Sequence, residues 1–494
     1  MPGLPEQRGK RASVIVVVLL LVVVSGVGAG LGAATLTAAT LTQGLGVARA
    51  VAAWAVAARM PAPMPVVVHP ALRPVGAAGP APTRAGVGAL LTPLVTAGGL
   101  GTLSGQVLDP ATGTVLWQRD PGVALVPGST AKLLTACAAL LALNHQQRWH
   151  TTVLAGAQAG TVVLVGGGDP TLSVASPGTD SGYPGAARLD ELVGQVRANS
   201  SSPVRRVLVD VSRYVGDALA PGWLPADVAG GYIAPIEPVM LDGGREDPTQ
   251  ENSPRVAKPA TAAATELARR LGADPDTVSI GTAPPGAAVL GDVSSPPIQD
   301  LVATALRRSD NVLAEALARE VARATGAPAS FSGASQAVRT VLRTHGFDVS
   351  GVTLMDGSGL SVNDAVPARV LTELLSAAAA PDKINVESAD ADRADADRAR
   401  EQRTAALRSL LVGLPVAGGS GTLADRYSGT AASGRGWVRA KTGTLTGVTS
   451  LAGIVQDADG RVLVFALLSN GPTPASVRPR LDTLAARLRS CGCH

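Results

Sequence analysis

The chain has 494 residues, 46% of them hydrophobic but only 2% aromatic, with a formal net charge of +4. That length leaves room for two or three domains around a large core, which must be built from Ala, Val and Leu. The charge is too mild and too scattered for a nucleic-acid partner, and three cysteines without a zinc-spaced Cys/His set give no reason to expect a metal or a cofactor.

At the N-terminus Arg8, Lys10 and Arg11 precede the unbroken apolar run Val14 to Val24, and the next charge is Arg49. This pattern predicts that residues 1–35 are a signal anchor or a cleaved signal peptide, with the rest of the chain outside the cytoplasm and the membrane as one partner. Residues 36–95 read as an extended linker, because Pro61, Pro63, Pro65, Pro70, Pro74, Pro80 and Pro82 alternate with Gly and Ala, and the folded part is expected from about residue 90. A hairpin is predicted for Leu103 to Leu108 and Thr114 to Gln118 around Pro110-Ala111-Thr112-Gly113.

The stretch Val126-Pro127-Gly128-Ser129-Thr130-Ala131-Lys132 then ends a strand-like segment and opens a helix whose apolar face carries Leu133, Leu134, Cys137, Leu140 and Leu141. Residues three apart share a helix face, so Lys132 can bring its amine to the Ser129 hydroxyl as a base to a nucleophile. A capping serine beside a solvated lysine would give the same spacing. Lysine scarcity favours the chemical reading: the chain has only Lys10, Lys132, Lys258, Lys383 and Lys441, and an amine can lose a proton near neutral pH where a guanidinium cannot.

Residues 149–297 change character to short apolar runs punctuated by Gly and Pro, predicting an inserted β-rich domain. Its Gly166-Gly167-Gly168-Asp169-Pro170 lacks the Gly-Lys-Ser/Thr of a phosphate loop and reads as a turn. Helical periodicity returns at 298–306 and 312–317, with Ser309-Asp310-Asn311 between. A hydroxyl can pass a proton, and an amide two residues on can both donate and accept. A second Ser-x-Asn, Ser361-Val362-Asn363, follows Asp356-Gly357-Ser358-Gly359-Leu360 and reads as the cap of the next helix. Residues 386–403 form a charge-dense tract, either an exposed helix or a disordered insertion, and no site. Gly436 to Ala440 runs as a strand into Lys441-Thr442-Gly443-Thr444, an edge offering an ammonium and hydroxyls to a carboxylate. A hairpin of 448–455 and 462–468, and a helix over 475–489, close the chain. Cys137 reads as core, and Cys491 with Cys493 as a possible disulfide.

Ser129-x-x-Lys132, Ser309-x-Asn311 and Lys441-Thr442-Gly443, in that order, resemble the serine penicillin-binding proteins and β-lactamases. Over residues 98 to 490 the chain is most similar to the low-molecular-mass class C penicillin-binding proteins, the D-alanyl-D-alanine carboxypeptidase/endopeptidases. Gly167-Gly168-Asp169-Pro170-Thr171-Leu172, Pro221-Gly222-Trp223, Asp356 to Ser361 and Gly443 to Val448 carry that likeness further. It implies an α/β (α+β) transpeptidase-like fold, an antiparallel sheet flanked by helices, formed by 96–148 and 298–490 around the insert.

It also implies peptidoglycan stem peptides as substrates and β-lactams as covalent inhibitors. Ser129 would be acylated, Lys132 would take its proton, Ser309 would relay a proton to the leaving amine and Asn311 would hold the substrate amide. The N–H groups of Ser129 and Thr444 would form the oxyanion hole. Lys441, Thr442 and Thr444 would face the terminal carboxylate beside Gly443, and Asp227 would meet an amino group of the stem peptide. One hydroxyl is thus expected between two amines, a neutral Lys132 and a cationic Lys441, with burial and the Lys441 charge lowering the Lys132 pKa. The insert is short for the family, and the 386–403 tract is an extra insertion. The alternatives are a β-lactamase, against which stands the lack of a Glu-x-x-Leu-Asn segment between Ser309 and Lys441, and a non-catalytic envelope protein.

Overall fold

The computed structural model describes residues 79–381 and 391–493. The expected membrane-directing segment, most of the linker and residues 386–390 of the charged tract lie outside the described residues. No described helix is long and apolar enough to cross a membrane.

In chain order the elements begin with α1 (Arg84–Thr96), β1 (Thr102–Asp109), β2 (Thr114–Arg119), β3 (Ala124–Leu125), a 3-10 turn (Gly128–Ala131) and α2 (Lys132–Ala142). Next come β4 (His150–Ala155), β5 (Thr161–Val165), α3 (Leu189–Asn199), β6 (Arg206–Asp210), the short α4 (Pro225–Ala229), α5 (Pro259–Leu271), β7 (Ser279–Ile280) and β8 (Val289–Ser294). The chain continues through α6 (Ile298–Arg308), α7 (Asn311–Ala324), α8 (Phe331–Thr344), β9 (Val366–Pro367), α9 (Ala368–Ala379) and α10 (Ala391–Gly413). It ends with β10 (Val438–Leu445), β11 (Val448–Gln456), β12 (Val462–Asn470) and α11 (Pro474–Arg489).

The main sheet has the order β10-β11-β12-β1-β2 and is antiparallel at every pairing. Both faces are covered, which explains its apolar strands. On β12, Val464, Ala466 and Leu468 join the core shared with α2 and α6 to α10. The alternate residues Leu463, Phe465 and Leu467 join the core under α1 and α11. A strand's side chains point alternately to the two faces, so a strand that is apolar throughout serves two cores. The predicted hairpins and the final helix all form, with ends one or two residues longer.

The folded part begins earlier than composition indicates. Thr83 caps α1 by accepting from Gly86 N at 3.0 Å, and Val87 and Leu91, one turn apart, are buried against the sheet. Pro82 and Pro93 masked this spacing.

A second sheet, β7-β6-β5-β4-β8, lies within residues 149–297 and has its own apolar core, including Val153, Leu164, Val207 and Leu267. It is not simply β-rich: β5, β6 and β7 run parallel. Parallel neighbours need crossovers, which α3 and α5 supply, so this part is mixed α/β. The charged tract runs into α10, exposed where Arg398 and Glu401 lie and buried further on at Leu407 and Leu410. Cys491 and Cys493 are disulfide-bonded, and Cys137 is buried with a free thiol.

Candidate active site

The turn carrying Ser129 is pinned from three sides before any chemistry is considered. Asn470, the last residue of β12, brackets Val126: its Oδ1 accepts from Val126 N at 3.0 Å and its Nδ2 donates to Val126 O at 3.2 Å. Pro127 O accepts from Ser450 Oγ at 2.6 Å and Thr130 Oγ1 at 2.7 Å. Gly128 has φ +52°, and a Cβ there would lie 3.1 Å from Thr444 N. A glycine allows both the left-handed backbone and this close approach to β10.

Ser129 sits in the 3-10 turn, and the α-helix proper starts only at Lys132. The sequence predicts a helix opening at the serine; the tighter turn has three residues per repeat and therefore eclipses residues i and i+3. The result is Lys132 Nζ 2.9 Å from Ser129 Oγ.

Lys132 is 1% exposed. Its Nζ also donates to Ser358 O at 2.8 Å and to Asn311 Oδ1. Asn311 opens α7, and its Nδ2 donates to Tyr232 O at 2.9 Å, which fixes Oδ1 toward the lysine. A carbonyl and an amide oxygen can only accept. A neutral amine spends both its N–H bonds on them, leaving its lone pair for the Ser129 hydroxyl. Burial lowers the Lys132 pKa to about 8, against the opposing pull of Asp356, Glu315, Asp310 and Asp364.

Ser309 ends α6 in the left-handed conformation, φ +58°, and Asp310 caps α7 by accepting from Leu313 N at 2.9 Å. Asp310 is anchored in turn by Tyr183 Oη at 2.7 Å and by Arg245. This helix break turns Ser309 Oγ toward β10, where it accepts from Lys441 Nζ at 2.8 Å. Lys441 also donates to Thr442 O at 2.8 Å and is fully buried.

The expected pairing of charges needs correcting. The lysine bonds shown join Lys132 to Ser129 and Lys441 to Ser309, so two hydroxyls each meet one amine. Lys441 is the amine whose pKa falls well below its ordinary value, because of burial and then the neighbouring Lys132 and Arg426. Among the described residues no carboxylate counts against that burial at Lys441, whereas four do at Lys132.

Ser129, Ser309, Asn311, Thr442, Thr444 and Asp227 line one cleft of about 720 Å³. Gly443 faces the nucleophile turn, and a Cβ there would lie 3.0 Å from Ser129 N. Thr442 Oγ1 is 2.8 Å from Thr422 Oγ1. Asp227 borders the cleft while its Oδ2 accepts from Leu224 N at 2.7 Å. The rival Ser361 instead donates to Pro221 O at 2.9 Å and does not cap the next helix, which starts at Ala368. Sequence reasoning passed over Tyr232, Thr422, Arg426, Ser450 and Asn470. Thr422 and Arg426 reach the cleft from a loop with no periodic signal, and Ser450 and Asn470 sit beside other polar residues, Thr449 and Ser469, in largely apolar strands.

Residues 91–254, 246–388 and 398–490 match the profile of the D-Ala-D-Ala carboxypeptidase 3 (S13) family. A carboxypeptidase of Mycobacterium tuberculosis is 46% identical over 442 residues, covering 89% of this chain and 91% of that one. Carboxypeptidase DacB of Mycolicibacterium smegmatis is 46% identical over 437 residues, 88% of this chain and 90% of the other. In fold the chain is similar to penicillin binding protein 4 of Haemophilus influenzae, with a TM-score of 0.61 at 20% identity, covering 82% of this chain and 98% of that one. With its paired Ser-Lys geometry and these relatives over most of its length, the chain belongs to the D-Ala-D-Ala carboxypeptidase 3 (S13) family.

Proposed function

We propose that the chain is a serine DD-peptidase that cleaves the terminal D-alanine from peptidoglycan stem peptides through an acyl-enzyme on Ser129. The observation that carries this reading is the 2.9 Å approach of a buried amine, Lys132, to a hydroxyl that opens onto a cleft. Lys132 takes the Ser129 proton as the oxygen bonds the carbonyl carbon of the penultimate D-alanine. Oxyanion charge falls to the N–H groups of Ser129 and Thr444, which the glycines at 128 and 443 bring together. The C–N bond breaks as Ser309 passes a proton to the departing amine, and water then releases the acyl group. Asn311 holds the substrate amide, and Thr442 and Thr444 meet the terminal carboxylate. That anion also supplies the negative charge Lys441 lacks, so its arrival favours protonated Lys441 and, by repulsion, neutral Lys132. Asp227, at the cleft's border, is the candidate for the stem peptide's amino group.

Residues 96–148 and 298–490 form the catalytic domain on this reading, with 149–297 inserted. The enzyme works outside the cytoplasm, to which residues 1–35 direct it as anchor or signal, and β-lactams trap it by acylating Ser129. The test is D-alanine release from a peptide ending in D-Ala-D-Ala: wild type releases it and Ser129→Ala does not. Release by the alanine variant would overturn the assignment.

A further inference from the structure

The loop Asp356 to Ser361 packs against both Lys132 and the turn that carries Ser129, and its Leu360 reaches the cleft lining. Ser358 O accepts from Lys132 Nζ at 2.8 Å, and Thr135, three residues further along α2, donates to Gly357 O at 2.6 Å. Gly359 has φ +78°, and a Cβ there would stand 2.0 Å from Gly128 O and 2.8 Å from the Ala131 Cβ, so the loop lies directly on the Ser129 turn.

Asp356, 1% exposed, builds this loop from within. Its Oδ1 accepts from Ser358 N at 3.0 Å and Gly359 N at 2.6 Å; its Oδ2 accepts from Ser361 N and from Trp223 Nε1, both at 2.7 Å. From α7, which also carries Asn311, buried Glu315 accepts from Gly357 N with both oxygens, at 3.0 and 2.9 Å.

We propose that Asp356 is a positioning residue for Lys132: it fixes the Ser358 carbonyl so that one N–H of the amine is occupied and the lone pair is left facing Ser129. The inference rests on the reading of Ser129 and Lys132 as nucleophile and base. An amine turns freely about its last bond, and only the directions of its acceptors decide where the lone pair points. Asn311 alone supplies one such direction; the loop supplies the second. Glu315 holds the same loop from the helix side.

The residue also acts through charge. Asp356, Glu315, Asp310 and Asp364 all favour protonated Lys132, with Asp356 the strongest of them, and the facing amine is Lys441, whose own pKa burial and the neighbouring Lys132 lower. Asp356→Asn therefore does two separable things. Its amide nitrogen cannot accept from Ser361 N or Trp223 Nε1, so the loop loosens, and the lost negative charge lowers the Lys132 pKa.

The experiment follows acylation of the full chain by a fluorescent penicillin against pH in wild type, Asp356→Asn and Asp356→Glu, with labelled sites counted at completion. For Asp356→Asn the rate constant per labelled site is expected to fall by ~10- to 100-fold on the pH plateau. The acid limb should move by about one unit toward lower pH, with labelling still complete. Asp356→Glu, which keeps the charge but not the reach, should return the limb to its place without restoring the rate. A merely structural residue would lower the labelled fraction and leave rate constant and limb as in wild type; that result overturns the proposal. Should Asp356→Asn not fold, Glu315→Ala, which removes the acceptor of Gly357 N, replaces it: a lowered per-site rate supports the clamp and an unchanged one overturns it. Wild type that takes no label at Ser129 would overturn the acyl-enzyme reading instead.

Discussion

Gly443→Ala tests whether the close seam between β10 and the Ser129 turn is what places the oxyanion donors. A Cβ at 443 would lie 2.1 Å from Ser450 Oγ, 2.4 Å from Pro127 O and 3.0 Å from Ser129 N. Ser450 and Pro127 are themselves joined at 2.6 Å, so neither moves independently. A carbon–oxygen contact relaxes at roughly 3.3 Å, so the strand must retreat by about 1 Å from Pro127. That retreat carries the Thr444 N–H away from the Ser129 N–H. A displacement of ~1 Å costs on the order of 100-fold, and one lost oxyanion donor ~100- to 1,000-fold. Overpacking of this kind costs about 1–3 kcal/mol of stability. The matched control is Gly194→Ala on α3, where a Cβ meets nothing within 4 Å; there helix propensity should raise stability by about 0.5–1 kcal/mol with no change in rate. Penicillin acylation rates and thermal unfolding midpoints of both variants decide the matter. A folded Gly443→Ala that is acylated at the wild-type rate would refute the reasoning.

Acylation by penicillin should rise with pH. The acting form of Lys132 is unprotonated, so with a pKa of about 8 its share grows from about 9% at pH 7 to about 91% at pH 9, roughly a tenfold gain in rate; a profile flat across that range contradicts the assignment of the base. Ser309→Ala should lower D-alanine release by ~100- to 10,000-fold, because it removes the relay and an acceptor of the buried Lys441 amine; release at the wild-type rate would remove Ser309 from the mechanism. Asn470→Ala strips both hydrogen bonds from Val126 and should cost about 1–3 kcal/mol in unfolding experiments together with slower acylation, whereas loss of stability alone would show that Asn470 does not hold the Ser129 turn in its working geometry.

Periodicity made much of this fold legible in advance. The β11–β12 hairpin, the helices on either side of Ser309 and the final helix carry regular patterns and turn residues, and they form where expected. What composition hid was local. The Thr83 cap and the Val87–Leu91 pair were lost among prolines, and the parallel strands β5 to β7 were unreadable because short apolar runs carry no sign of direction. At the site, the three motifs indicated which residues converge and that the Lys132 amine meets the Ser129 hydroxyl, but not that Lys441 meets Ser309. That depends on Ser309 ending α6 with positive φ, a break caused by the need to cap α7 with Asp310. The strong lowering of the Lys441 pKa was equally invisible, since it depends on where buried carboxylates lie, and they cluster around Lys132.

Mass spectrometry of the full chain after exposure to penicillin tests the central claim most directly. The account predicts one covalent adduct, on the peptide containing Ser129, and none in Ser129→Ala. An adduct on any other residue, or one that survives in the alanine variant, would contradict it.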